Sequence, residues 1–271
     1  MIEPSTYRSI AVASTFSPRF KQVLAEAKRI RDRFGSQLSL VYVGECTSET
    51  TKKFSEALAE LKLPPDPVIH YQQGDPAEAI LKAASENDVD LIVAGALEKE
   101  LVLHQFLGNV ARRLVRDANC SVMLFTRPDA EPKPLRQIVF IADYSDHSRE
   151  ALKKTFQLAL AEGCECLYVI SVVTTFDQAR ASLQGHGEAK TDEAEEEALE
   201  KFVLSAGATE VPIDARCIRG NTGFVAADFV QAIKADLLVV PLSASADGDR
   251  TLPGNTAWIL DVIPCNLWVI R

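Results

Sequence analysis

Apolar and polar positions alternate along the first half of the chain with two different periods. A stripe of helical spacing begins at Phe20, and its members are Phe20, Val23, Leu24, Ala27, Ile30 and Phe34. Short runs of strand length flank it, and we predict strands near 8–14, 37–43, 67–72, 90–95 and 121–126. The run LIVAG and its later counterpart LLVVP are apolar throughout, which is typical of strands covered on both faces.

The second half of the chain repeats the first. IAVASTFSPRF, from Ile10, corresponds to IVFIADYSDHS, from Ile138, and both lead from an apolar run into a turn that contains serine. Each half then alternates strands and helices, which favours parallel sheets with right-handed crossovers. We therefore predict an α/β fold with two similar doubly wound domains. Each should hold a five-stranded, mostly parallel sheet with helices on both faces.

The segment RPDAEPKPLRQ, residues 127–137, is polar and holds three prolines, so it reads as a linker. We place the first domain at 1–127 and the second at 128–271. The second half is longer, and its extra residues form an acidic insertion at about 174–197. Residues 184–197 have almost no large apolar side chain to offset the ordering entropy, so we expect a mobile surface excursion there.

Charge and composition narrow the classes of function. The net charge is −9, and residues 188–200 alone carry seven acids and one lysine, so we expect no nucleic-acid partner. No apolar run approaches the roughly 18 residues of a membrane span, and no secretory signal is apparent. The six cysteines form no CxxC pair and no metal-ligand spacing with histidine. We expect a cytoplasmic protein without a metal site and without a membrane partner.

Nothing in the sequence indicates catalysis. Asp143, Ser145 and His147 lie together in ADYSDHS, whereas a hydrolytic triad is normally assembled from distant segments. Ser145 or Asp146 is better explained as the N-cap of the following helix, and Asp143 as the first residue of an Asx-turn. No G-x4-G-K-[ST] phosphate loop is present. We therefore name no catalytic residue and expect a protein that is not an enzyme.

Two stretches of equal length, GALEKELVLHQFLGN from Gly95 and PLSASADGDRTLPGN from Pro241, both begin at the end of a predicted strand and close on Gly-Asn. With the Ser turns and the final helix–Cys–strand units, they make nearly the whole chain resemble the universal stress protein family in its tandem two-domain form. In nucleotide-binding members, the fourth strand leads into G-x2-G-x9-G-[STN]. An Asp after the first strand contacts the adenosine. Glycines admit phosphate close to the backbone, and the helix start favours an anion.

Each half departs from this motif in its own way. In the first half, Thr15 replaces the adenosine-contacting Asp and Glu98 replaces the second glycine, and the matching residues are Gly95, Gly108 and Asn109, followed by Val110. In the second half, Pro241 and Ala244 replace the first two glycines, and the matching residues are Asp143, Gly254, Asn255 and Thr256. The second half thus keeps the adenosine contact and the helix start, so we expect it to be the better nucleotide site.

The resemblance implies a stress-response regulatory or binding protein, with ATP or another adenine nucleotide as the candidate ligand and no cofactor assigned with certainty. Two alternatives stay open: an interaction scaffold without nucleotide, in which the Gly-Asn pairs are only helix starts, and a weak ATP-hydrolysing enzyme. The resemblance also implies an intramolecular pseudo-dimer through 121–125 and 266–270, two apolar strands that each need a partner, and a homodimer is a further candidate assembly.

Overall fold

The computed structural model describes residues 6–14, 16–65, 67–96, 107–174, 192–242, 258 and 263–271. The chain divides into two compact units between Lys133 and Pro134. None of the described helices is both long enough and apolar enough to cross a membrane.

The first unit alternates strands and helices from β1 onward. Its elements are β1 (Ser9–Ser14), α1 (Phe20–Phe34), β2 (Gln37–Val43), α2 (Ser48–Glu60), β3 (Val68–Gln72), α3 (Pro76–Glu86), β4 (Leu91–Gly95), α4 (Asn109–Asp117) and β5 (Ser121–Phe125). The strand order is β3-β2-β1-β4-β5, and each pairing within the unit is parallel. The five predicted strands are confirmed, with ends that differ by at most one residue.

The second unit repeats this plan. Its elements are β6 (Gln137–Ile141), α5 (Asp146–Glu162), β7 (Cys166–Thr174), α6 (Asp192–Ser205), β8 (Ile213–Gly220), α7 (Phe224–Ala232), β9 (Leu237–Pro241) and β10 (Asn266–Ile270). The strand order is β10-β9-β6-β7-β8, and these pairings are also parallel. The predicted α/β class with two similar doubly wound sheets is therefore confirmed.

The central strands are covered on both faces. Ile10, Ala11 and Val12 of β1 are all buried, and successive side chains of a strand point to opposite faces of the sheet. The predicted apolar stripe of α1 is buried along its whole length, and Gly35 ends that helix in the left-handed region, with φ of 65°. Burial of these apolar stripes against the sheet defines the core of each unit.

The prediction of a mobile excursion over 184–197 is wrong for the stretch from Asp192, because this stretch forms the beginning of helix α6. The entropy cost of ordering this acidic stretch is offset by contacts outside the stretch itself. Leu199 and Phe202 are buried later in the same helix, and Arg219 of β8 pairs with Asp192 and with Glu195. Residues 184–191 lie outside the described residues.

Candidate functional site

The candidate site lies at the carboxyl end of β6, the central strand of the second unit. β6 pairs with β7 on one side and with β9 on the other, so the strand order reverses direction at this strand. In doubly wound sheets, ligands bind beyond the carboxyl ends of the strands at such a reversal. Asp143 follows Ile141, the last residue of β6, by two positions and is exposed. The chain thus presents a carboxylate where the fold favours a ligand.

A network of short-range hydrogen bonds fixes Asp143. Its Oδ1 accepts from the backbone N–H of Ser145 at 2.9 Å and from the Ser145 hydroxyl at 2.6 Å, so the predicted Asx-turn is confirmed. Ser145 Oγ in turn accepts from the N–H of Ser148 at 3.0 Å, which confirms Ser145 as the N-cap of α5. In the described part of the chain, Oδ2 of Asp143 accepts no hydrogen bond.

Sheet register identifies the side chains that lie level with Ala142, the residue before Asp143. The N–H of Ala142 donates to the carbonyl of Ile170 at 2.8 Å, which places Ala142 level with Ser171 of β7. Ser171 in turn pairs with Cys217 of β8. Two small side chains therefore lie side by side on one face of the second sheet, at its carboxyl edge.

The same register positions of the first unit hold large aromatic rings. Ser14 of β1 pairs with Tyr42 of β2, and Tyr42 pairs with Tyr71 of β3. Phe16 lies 5.0 Å from Tyr42 and 4.7 Å from Phe54 of α2, measured between ring centroids. Phe54 is buried and also contacts Tyr71 at 6.5 Å. These rings fill the carboxyl edge of the first sheet, which in the second unit is lined by serine and cysteine.

The glycines predicted for the first unit lie where the chain leaves β4 and where it enters α4, and a backbone hydrogen bond joins these two places. Gly95 ends β4, and a Cβ there would lie 3.3 Å from Cγ2 of Val23, so a side chain would press on α1. Gly108 is the N-cap of α4, and its N–H donates to the carbonyl of Ala96 at 3.0 Å. This amide is therefore occupied within the chain. The exposed Asn109 and the half-buried Val110 are the first two residues of the helix, so this Gly-Asn pair forms a helix start.

Several predicted residues lie outside the part of the chain that the structure describes. They are Thr15, Glu98, Ala244, Gly254, Asn255 and Thr256. Pro241 is described as the last residue of β9, where it pairs with Ile270. The phosphate-binding half of the second site, and the carboxylate at position 98 of the first, remain predictions.

Sequence reasoning missed the side chains that surround Asp143. Tyr144 has a φ of 63°, and its ring packs on Phe202 of α6 with centroids 5.5 Å apart. Burial raises the pKa of the Tyr144 hydroxyl, and a hydrogen bond with Ser171 opposes that rise. Burial also raises the pKa of Cys217, with a further contribution from the charge of Glu195. The only signal in the sequence was the aromatic residue that follows the first strand of both halves.

No group of three or more His, Cys, Asp or Glu side chains within the described ranges could hold a metal ion. His147, next to the candidate site, instead uses Nε2 as a donor to the carbonyl of Ile270 at 3.0 Å. A carbonyl can only accept, so this contact fixes the proton on Nε2. The imidazole thus joins the start of α5 to the end of β10 within the second unit.

Comparison with known proteins agrees with the duplicated fold. The sequence profile of the universal stress protein family matches residues 47–126 and again 134–271. A universal stress protein of Methanothermobacter thermautotrophicus is 36% identical over 84 residues, which cover 28% of this chain and 57% of that protein. A universal stress protein of Thermus aquaticus is 32% identical over 135 residues, which cover 44% of this chain and 98% of that protein.

Solved structures share the architecture of the whole chain. A protein of unknown function from Pseudomonas aeruginosa has a TM-score of 0.71 at 18% identity, and the match covers 98% of this chain and 93% of that one. A universal stress protein from Archaeoglobus fulgidus has a TM-score of 0.65 at 15% identity, with 97% and 98% covered. At these identities the likeness concerns the fold alone. The two profile matches, together with the duplicated α/β fold, show that this chain belongs to the universal stress protein family, with two such domains in tandem.

Proposed function

We propose that the second domain binds an adenine nucleotide, and that the chain acts as a stress-response regulatory protein through this binding rather than through catalysis. The observation that carries the proposal is the exposure and hydrogen bonding of the Asp143 carboxylate. Its carboxylate is exposed at the reversal of strand order, and only one of its oxygens is engaged by the described residues. Oδ2 is thus positioned to accept a hydrogen bond from a ligand.

The charge of Asp143 decides which end of a nucleotide it meets. A carboxylate repels phosphate, so Asp143 is expected to accept from a ribose hydroxyl or from an adenine N–H. The phosphates then point toward the helix start predicted at Gly254, Asn255 and Thr256, where free amides and the helix dipole favour an anion. This orientation follows from electrostatics and matches what the family resemblance implies.

The difference between the two walls supports the choice of the second domain. Ser171 and Cys217 have smaller side chains than their register counterparts Tyr42 and Tyr71, which pack with Phe16 and Phe54 in the first unit. A nucleotide needs a concave site that buries most of its surface. A wall of small side chains can supply that concavity, and packed aromatic rings cannot.

Calorimetric titration of ATP, ADP and AMP into three variants tests the proposal. We expect Asp143→Ala to weaken binding by roughly 1–3 kcal/mol, about 5- to 150-fold, because a hydrogen bond to a charged group is lost. Asp143→Asn keeps an acceptor for the Asx-turn and removes only the charge, so about half of that loss in free energy is expected. The matched control is Asp146→Asn, which removes a carboxylate three residues away that pairs with Arg149.

The outcomes separate the competing functions. Unchanged affinity in Asp143→Ala, with tighter binding in Glu98→Gly, would move the site to the first domain. Absence of a binding heat in the unmodified protein would favour the scaffold. We expect no phosphate release during prolonged incubation with ATP, and steady release that disappears in Asp143→Ala would instead favour a weak ATPase.

A further inference from the structure

Tyr144 adopts a left-handed backbone conformation, which costs free energy for any residue that has a Cβ. Its φ of 63° lies in the left-handed region, which is uncommon for a bulky residue. Phe16, which follows β1 at the equivalent place in the first unit, is not among the described residues with positive φ. Strain of this kind persists only where the surroundings hold it, and it is concentrated at functional sites. The contacts that hold Tyr144 are therefore informative.

Two sets of contacts hold this turn. Behind Tyr144, Asp143 Oδ1 receives both the N–H and the hydroxyl of Ser145, and the N–H of Asp143 donates to Ser148 Oγ at 3.4 Å. In front, the ring of Tyr144 packs edge-on against Phe202, at a centroid distance of 5.5 Å and an interplanar angle of 77°. The Tyr144 ring thus joins the turn that carries Asp143 to helix α6, and its hydroxyl is also hydrogen-bonded to Ser171 of β7.

Helix α6 is itself fixed to the edge strand β8. Arg219 of β8 donates to Asp192 and, at 2.6 Å, to Glu195, so one guanidinium holds two acids of the first turns of the helix. Phe202 is buried two turns further along. The position of the acidic helix can therefore reach Tyr144 through the contact between its ring and Phe202.

We propose that Tyr144 is a positioning residue, whose ring, seated on Phe202, holds the left-handed turn that presents Asp143 and so couples the docking of helix α6 to ligand binding. The proposal rests on the proposed nucleotide site for its ligand. Coupling is reciprocal, so nucleotide must stabilise the docked helix as much as the docked helix strengthens nucleotide binding. The acidic segment thus becomes part of the control of the site.

The test compares Phe202→Leu with a matched control, Phe229→Leu. Phe229 packs on Tyr168 at 5.6 Å and the same angle of 77°, but it belongs to helix α7 rather than to helix α6. We expect Phe202→Leu to weaken ATP binding about two- to tenfold, the range that one aromatic pair supplies, and Phe229→Leu to leave it unchanged. ATP should slow amide exchange at Leu199 and Phe202 in the unmodified protein.

Substitution of Tyr144 itself separates positioning from simple packing. Asn tolerates the left-handed region and β-branched Val resists it, so affinity should fall in the order Tyr, Asn, Val. Once the ring is gone in Tyr144→Asn, adding Phe202→Leu should have no further effect on affinity. A second loss of the same size in the double variant, or equal losses from Phe202→Leu and Phe229→Leu, would overturn the proposal.

A readout without ligand distinguishes this proposal from the function on which it rests. The amide N–H of Ser145 is bonded to Asp143 Oδ1, so its hydrogen-exchange protection reports the turn. We expect protection to fall in Phe202→Leu and more in Tyr144→Val. If protection follows this order but the unmodified protein binds no ATP, the positioning role stands and the nucleotide function fails. If ATP binds and protection is unchanged in both variants, the nucleotide function stands and the positioning role fails.

Discussion

Substitution of Phe54 by Ala tests whether the aromatic rings fill the carboxyl edge of the first sheet. Phe54 is 1% exposed, and its ring contacts those of Phe16, Phe20, Tyr42 and Tyr71 at centroid distances between 4.7 and 6.5 Å. Truncation loses the transfer free energy of the ring and leaves a cavity, together about 3–5 kcal/mol. We expect a value near the upper end, because the neighbouring rings are carried on two strands, one helix and the turn after β1 and cannot collapse freely into the space.

Phe202→Ala is the matched variant in the second unit. Phe202 is 7% exposed and has one described ring partner, Tyr144, so we expect a loss nearer to about 3 kcal/mol. Urea unfolding followed by near- and far-ultraviolet circular dichroism gives both values, and an unchanged slope with denaturant shows that the comparison is valid. A loss below about 2 kcal/mol for Phe54→Ala, or one smaller than that of Phe202→Ala, would refute the filled-edge interpretation.

Two further predictions concern backbone approach and a buried thiol. Gly220→Ala would place a Cβ 2.8 Å from Cβ of Val225, so we expect it to cost about 1–3 kcal/mol in urea unfolding. Gly95→Ala should cost less, because the nearest atom there, Cγ2 of Val23, is 3.3 Å away. Burial raises the pKa of Cys164 to about 11, so iodoacetamide should label the exposed Cys46 and leave Cys164 unlabelled at pH 8. Because the folded state holds this proton more tightly than the unfolded chain, the urea midpoint should decline as pH rises from about 9 toward 11. Labelling of Cys164 at the rate of Cys46, or a midpoint that rises over that range, would contradict this assignment.

The strands could be predicted from the sequence because burial on both faces leaves a continuous apolar run. The run from Leu91 to Gly95 was located to within a residue, as was the helix that begins at Phe20. The Asx-turn at Asp143 and the cap at Ser145 were also predictable, because each depends on side chains within a few residues of one another.

Features that depend on distant partners could not be predicted. The acidic stretch from Asp192 appeared unable to order, because its counter-ion, Arg219, comes from a strand that is remote in sequence. The wall beside Asp143 depends on the register between β7 and β8, which places Ser171 opposite Cys217. The left-handed conformation of Tyr144 depends on a ring that a different helix supplies. Each of these properties arises from pairing between elements rather than from local composition.

Stability and ligand binding place conflicting demands on the carboxyl edge of a single domain, and the two halves of this chain differ at that edge. Every ring that fills the carboxyl edge of a sheet adds buried apolar area and so raises the free energy of unfolding, but it removes the concavity that a ligand needs. In the first unit Tyr42 and Tyr71 are paired in register and favour stability, and in the second unit Ser171 and Cys217 occupy those register positions beside an exposed carboxylate. Duplication permits this divergence, because one copy can keep smaller side chains at this edge when stability need not be maximal everywhere. The strained turn at Tyr144 lies in the unit with the smaller side chains at this edge, and strain of this kind is concentrated at functional sites.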